Sequence, residues 1–221
     1  MMEEGLAAAF GAGVLPTDRR ASAIVDIGAG TTNFAIIAKG SVVHSTSVRH
    51  GSNSITEAIA THLRRSRGLQ VGDETAEQIK TKFSSTFLPD DISTSLEVRG
   101  RDVQTGSPAA VEITAGEIYA IVEGIVRRIG LRVKDTLTEL RPEVAADIYD
   151  RGVILTGGGA LLEGIDQYMR SFINLPVTIA DEPRYATVNG LVKMFEDPKL
   201  LERVTRNELS VLQNAEIPFE V

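Results

Sequence analysis

Apolar and polar positions along the chain fall into runs of two different periods. Ser22–Ile27, Thr32–Ala38 and Ser41–Val48 are short stretches rich in Ile, Val, Ala and Thr, separated by Gly28-Ala29-Gly30 and by Lys39-Gly40. Runs of that length between glycine turns predict three strands joined by two tight hairpins. From about Ser54 the period lengthens to that of a helix. Ile55, Ile59 and Leu63 share a face there, and Ser54 with Glu57 has the spacing of a capping box. Residues 68–72 interrupt, and a second helix follows over Asp73–Phe83 with Ala76, Ile79 and Phe83 as its apolar stripe. Strand-like runs at 93–99 and 109–114 flank a polar, glycine-containing loop, so residues 68–113 read as a small α+β insertion.

The longest helical pattern covers 114–140. It begins at a second capping-box pair, Thr114 and Glu117, carries Ile118, Ile121, Ile125, Ile129, Leu137 and Leu140 on one stripe, and stops at Arg141-Pro142. A buried-type strand at 152–156 runs into Gly157-Gly158-Gly159. A helix from Ala160 to about Phe172, a short strand at 176–180 and a helix over Ala186–Glu196 complete the pattern. The tail from Lys199 reads as helical at first and ragged at its end. At the other end, residues 3–13 read as an alanine-rich helix closed by Gly11-Ala12-Gly13. Three hairpin-linked strands followed by helix–strand crossovers imply a mixed sheet covered by helices, an α/β order that matches the ribonuclease-H-like fold.

Composition narrows the function. With 221 residues, 43% hydrophobic and 24% charged, the chain can bury a real core. No apolar run approaches the ~18 residues of a membrane span, and the start Met1-Met2-Glu3-Glu4 lacks the basic region of a secretory signal. The absence of cysteine excludes disulfides, thiolate metal sites and a cysteine nucleophile. His44, His50 and His62 are scattered and make no metal-ligand pattern. A net charge of −7, 5% aromatic residues and no tryptophan argue against a nucleic-acid partner. The one basic run, Arg64-Arg65-Ser66-Arg67, ends a helix, where cations complement the dipole.

Three motifs carry chemistry. In Asp26-Ile27-Gly28-Ala29-Gly30-Thr31-Thr32 an apolar strand delivers an acid to a glycine turn followed by two hydroxyls. Turn N–H groups of that kind cradle anions, Asp26 suits a hydrated Mg2+, and Thr31 or Thr32 suits a phosphate or a water. A plain hairpin with a turn aspartate is the competing reading. Gly157-Gly158-Gly159, between strand and helix, offers backbone N–H groups at a helix N-terminus and room for a flat ring or a ribose; a flexible connector competes. It is neither a Walker A nor a Rossmann motif. Glu77 and Lys80, three apart on one helix face, suit a ribose hydroxyl and an adenine face, or form a solvated ion pair. The glycine motifs lie about 130 residues apart, and their joint occurrence is far more specific than either alone.

At these residues the chain closely resembles the MreB family, the rod-shape-determining branch of the actin superfamily. The resemblance runs from Glu3 to about Glu196 and includes Glu3-Glu4-Gly5-Leu6-Ala7-Ala8-Ala9, Gly72-Asp73-Glu74-Thr75-Ala76-Glu77-Gln78-Ile79-Lys80 and Glu97-Val98-Arg99-Gly100-Arg101-Asp102. It implies an actin-like ATPase that uses ATP and Mg2+. Glu4 would position the attacking water with help from Thr31, and Asp26 would serve the metal. Gly28, Gly30, Thr31 and Thr32 would surround the phosphates, and Glu77, Lys80, Gly157, Gly158 and Gly159 would hold the nucleoside. It further implies residues 1–20 as an interdomain hinge, 21–67 and 114–186 as subdomain IIA, 68–113 as the inserted subdomain IIB, and 187–221 as C-terminal helices. The expected partners are like subunits in filaments and the cell-wall elongation machinery. The expected place is the cytoplasm, at the inner face of the membrane through partners rather than by direct insertion.

Five departures from the family pattern stand out: Gly5 for a proline, Ala29 for a glycine, Asn33 for a glutamate, Asn189 for an arginine, and no first phosphate loop before Glu4. The chain therefore reads as the family's second half, with weak ATP affinity, little or no hydrolysis alone, and apolar hinge faces left exposed at Leu6, Phe10, Leu191 and Phe195. A non-catalytic module that binds or caps filaments of full-length subunits is the alternative.

Overall fold

The structure, a computed structural model, describes residues 3–202 and residue 204. The three expected strands form as β1 (Ser22–Ile27), β2 (Thr32–Ala38) and β3 (Ser41–Val48), paired antiparallel in sequence. β7 (Val153–Thr156) and β8 (Val177–Ile179) add in parallel, giving a five-stranded mixed sheet of order β3-β2-β1-β7-β8. The parallel strands need crossovers, which α4 (Ala115–Thr138), α5 (Pro142–Arg151) and α6 (Ile165–Ile173) provide. β1, at the centre, is buried along its whole length and feeds two cores. Ala23, Val25 and Ile27 face a cluster with α2 (Asn53–Arg67), α4 and α6, while Ile24 faces a smaller cluster with α1 (Glu4–Gly11) and α7 (Ala186–Glu196). Alternate side chains of a strand point to opposite faces, so one strand serves both.

The segment between α2 and α4 has a sheet of its own. β4 (Leu69–Gln70), β5 (Ser95–Asp102) and β6 (Pro108–Thr114) pair antiparallel, accompanied by α3 (Asp73–Phe83). A carboxylate holds this segment to the main body. Thr114 and Glu117 make the expected capping box, with Glu117 N–H donating to Thr114 Oγ1 at 3.2 Å and Thr114 N–H donating to Glu117 Oε2 at 2.9 Å. Glu117 Oε1 also takes His62 at 2.9 Å and Arg67 at 2.8 Å, both from α2. Burial pushes this carboxyl up, but the bonds from Thr114, His62 and Arg67 outweigh it and hold it at about 2. A depressed carboxyl contributes stability that is present above its unfolded value, near 4.5, and is lost as pH falls towards 2. Glu117→Gln is accordingly expected to destabilise the fold by about 1–2 kcal/mol at pH 7, since its side chain is partly exposed. In denaturant unfolding that difference should shrink below pH 4.5 and be nearly gone by about pH 2. A difference that stays constant with pH would assign the effect to packing.

Several sequence expectations need correction. Arg141-Pro142 does end one helical pattern, but it also starts α5: proline at the first position of a helix loses no bond that the helix would make. α5 then anchors the segment before β1 through an Arg151–Asp18 ion pair and a bond from Ala21 N–H to Asp147 Oδ2 at 2.8 Å. α2 begins at Asn53, so Ser54 lies inside the helix and not at its cap. Phe83 is exposed rather than part of the α3 core. Leu6 and Phe10 are buried, not exposed, and Leu191 is half-buried, because α1 and α7 pack on each other and on the sheet. Phe195 does remain exposed, at 67%. Of the tail beyond α7, Leu200 and Val204 are buried in the smaller cluster, and residues 205–221 lie outside the described residues.

Candidate functional site

The two glycine turns leave adjacent parallel strands and touch. β1 pairs with β7 so that Asp26 lies opposite Thr156, and each strand then enters its turn. Gly157 has φ +81°, and a Cβ there would lie 2.3 Å from Asp26 Oδ1 and 2.4 Å from the Ile27 carbonyl oxygen. A Cβ on Gly159 would lie 2.2 Å from Ile27 Cγ2. Only glycine lets the second turn close on the end of β1.

The first turn is fixed from the other side by α2. Ser52 N–H donates to the Gly28 carbonyl at 2.9 Å and Asn53 N–H to that of Ala29 at 2.8 Å. Ala29, Gly30 and Thr31 stay exposed. Neither Gly28 nor Gly30 has positive φ; a Cβ on Gly30 would meet nothing within 4 Å, whereas one on Gly28 would lie 3.2 Å from the Thr31 carbonyl oxygen. Thr32 is buried, and its hydroxyl is taken by the His50 carbonyl at 2.6 Å.

Between the turns opens a cavity of about 660 Å3 whose walls include Ala29, Gly158, Gly159, Glu77 and Lys80. Glu77 Oε2 pairs with Lys80 Nζ at 2.7 Å and accepts from Thr56 Oγ1 at 2.7 Å. Burial pushes the Glu77 carboxyl up, yet the bonds from Lys80 and Thr56 prevail and keep it below its ordinary value. With its side chain only 12% exposed, Lys80 is more than half of a solvated pair. The helix expected straight after the glycines does not form. A 3-10 turn at Gly158–Leu161 comes first, and α6 starts at Ile165 after Gly164, whose φ is +76°. Thr86 meets the chain at the interruption: its N–H and hydroxyl both donate to the Glu163 carbonyl at 2.9 Å, and a Cβ on Gly164 would lie 2.7 Å from its Oγ1. Gly157–Gly159 therefore offer close backbone and open space, not the dipole of an α-helix N-terminus.

A polar row crosses the opposite face of the sheet at the same end. Ser47, Asn33, Asp26 and Thr156 are successive cross-strand partners and so share a face. Ser47 Oγ donates to Asn33 Oδ1 at 2.6 Å, and Asn33 Nδ2 donates to Glu4 Oε2 at 3.0 Å. Thr187 Oγ1, from α7, donates to Asp26 Oδ2 at 3.2 Å. Asp26 is 5% exposed, and among the described residues it joins no ion pair. Burial first, and then the negative charge of Glu4, push its carboxyl up, against the Thr187 bond. Thr156 Oγ1, fully buried beside it, has no hydrogen-bond partner among the described residues. Glu4 itself is exposed at the start of α1. Ser47, Asn33, Thr156 and Thr187 all lie outside the three sequence motifs. Among the described residues no group of three or more His, Cys, Asp or Glu side chains could hold a metal ion.

With this geometry in place, the known relatives are informative. The family model for MreB/Mbl protein matches residues 1–203. The cell shape-determining protein MreB of Escherichia coli is 38% identical over 196 residues, 89% of this chain and 56% of that protein. The cell shape-determining protein Mbl of Bacillus subtilis is 35% identical over 208 residues, 94% of this chain and 61% of that protein. Among solved structures, MreB5 of Spiroplasma citri bound to AMPPNP is similar at a TM-score of 0.83 and 32% identity, over 93% of this chain and 61% of that one. The chain thus spans somewhat more than half the length of these relatives. Its mixed sheet and covering helices are those of the actin-like ATPase fold, and the chain belongs to the MreB/Mbl family.

Proposed function

We propose that this chain supplies one wall of an actin-type ATP site and works in a filament that directs cell-wall elongation and rod shape. The observation that carries the reading is the contact of two distant glycine turns at one end of the sheet, opening on a cavity walled by Glu77 and Lys80. In this reading the purine and ribose lie against Gly158, Gly159, Lys80 and Glu77, and the phosphates lie along the exposed turn at Gly28–Thr31. The larger sheet with its helices is subdomain IIA, and the segment at 68–113 is subdomain IIB. MreB5 of Spiroplasma citri, similar over most of this chain, was solved with AMPPNP.

Mg2+ fits the donor set. It keeps most of its waters and takes one or two carboxylates together with substrate phosphates, and Asp26 is a buried carboxylate that joins no ion pair among the described residues. When bound, the ion would screen phosphate charge. The chain's own part is to hold the Asp26 carboxylate ready and to keep Glu4, fixed by Asn33, beside the place where water attacks.

One wall makes only part of the contacts of an actin-type cleft. Each absent charge-assisted hydrogen bond removes ~1.5–3 kcal/mol, and ~1.4 kcal/mol is tenfold in affinity. The 221-residue chain by itself is therefore expected to bind ATP at micromolar concentrations or above, with little or no hydrolysis. Calorimetric titration with ATP, with and without Mg2+, tests this. Binding should strengthen with Mg2+, and Asp26→Ala should lose that gain while keeping the Mg2+-independent part. Submicromolar affinity would sink the one-wall account, and a Mg2+ gain that survives Asp26→Ala would sink the metal assignment.

One observation favours a second reading, a module that binds filaments of full-length subunits without catalysis. Val188, Val192 and Phe195 form an exposed apolar stripe along α7, and such stripes mark contact surfaces. Co-sedimentation with filaments of a full-length relative in the absence of nucleotide would support this reading.

A further inference from the structure

We propose that Thr187 is a positioning residue, which sets the Asp26 carboxylate for the metal–phosphate part of the ligand. The inference rests on the reading of Asp26 as the carboxylate that serves Mg2+. It adds the group that holds Asp26 in place.

The carboxylate is gripped from two sides. Thr187 Oγ1 donates to Oδ2 at 3.2 Å, and Oδ1 lies so close to Gly157 that a Cβ there would sit 2.3 Å from it. At 3.2 Å the Thr187 bond is long for an O–H···O contact, so its contribution is directional. It also fixes the carboxylate plane while leaving most of the acceptor capacity of Asp26 for a hydrated cation.

Thr187 is held in place by backbone packing, not by a flexible side chain. It stands in the first turn of α7, and α7 lies directly on α1. A Cβ on Gly190 would lie 1.8 Å from the Ala7 carbonyl oxygen, and one on Gly11 would lie 1.7 Å from that of Ala186. Lys193 Nζ adds bonds to the carbonyls of Phe10 at 3.0 Å and Gly11 at 3.4 Å. The same helix pair carries Glu4 at the start of α1. Glu4 and Thr187 therefore approach the polar row as parts of one rigid unit. A threonine inside a helix commonly turns its hydroxyl back to a carbonyl of the preceding turn; in the first turn of α7, Thr187 turns it to Asp26 instead.

The test compares wild type, Thr187→Val and Thr187→Ser by calorimetric titration of AMPPNP into the full chain, once with Mg2+ and once with EDTA. Valine keeps the shape and removes the donor; serine keeps the donor. The readout is the ratio of the two affinities, which a general loss of packing would leave unchanged. Wild type should show a Mg2+ gain, valine should lose about tenfold of it, and serine should restore most of it. An equal gain in wild type and valine would overturn the role of Thr187 and leave the Asp26 assignment standing. So would a loss in valine that appears equally in EDTA, or one that serine does not rescue. No Mg2+ gain in wild type would overturn the Asp26 assignment and this inference together.

Discussion

Gly190→Ala should be among the most destabilising single substitutions in the chain, at about 3 kcal/mol or more. The added methyl would meet the Ala7 carbonyl oxygen at 1.8 Å and the Gly11 nitrogen at 2.9 Å, all of it backbone that no rotamer change can clear. Relief requires α7 to lift from α1, which would open the smaller core around Leu6, Phe10, Ile24 and Met194. Denaturant unfolding should report a lower midpoint, with Gly124→Ala as the control. Gly124 lies in the interior of α4 with nothing within 4 Å of its Cβ position, so alanine there should stabilise by about 0.5–1 kcal/mol. If Gly190→Ala costs less than about 1 kcal/mol, the helix pair is not packed backbone to backbone.

Gly157→Ala should do the largest damage to ligand binding. Alanine would be strained at φ +81°, and its methyl would press on Asp26 Oδ1 and the Ile27 carbonyl. Moving the second turn off β1 separates the two halves of the proposed site. Nucleotide affinity should fall by about two orders of magnitude, and stability by about 1–3 kcal/mol. Gly158→Ala is the informative partner. Its Cβ position is empty within 4 Å, yet it lines the cavity. That change should leave unfolding nearly untouched while weakening the nucleotide by intruding on its space. Calorimetry and denaturant titration on both variants separate the two effects. Equal losses of binding and stability in Gly158→Ala would mean that the turn is only structural.

These predictions show what local pattern reveals and what it hides. The strands β1 to β3 were legible because glycine turns and β-rich runs are local signals, and Thr114 with Glu117 was legible because a capping box spans four residues. The start of α5 was hidden because proline stops one helix and opens the next with the same ring. The late start of α6 was hidden because the left-handed Gly164 looks like any other glycine in sequence, and the Thr86 contact beside it spans 77 residues. The burial of Leu6 and Phe10 depended on how closely α1 and α7 meet, which no periodicity encodes. At the site, Asp26 and the glycine turns could be singled out as motifs. Thr187 could not, because its bond to Asp26 spans 161 residues and a lone threonine early in a helix carries no signal. Asn33 stood out only as a departure from the family pattern; its place between Ser47 and Glu4 comes from strand register.

The most direct test is an amide chemical-shift titration of the full chain with AMPPNP and Mg2+. Shifts should concentrate on Ala29, Gly30 and Thr31, on Gly158 and Gly159, and on Lys80, all rising along one saturation curve. Shifts at only one of the two glycine turns, or at a surface remote from both, would contradict a shared nucleotide wall.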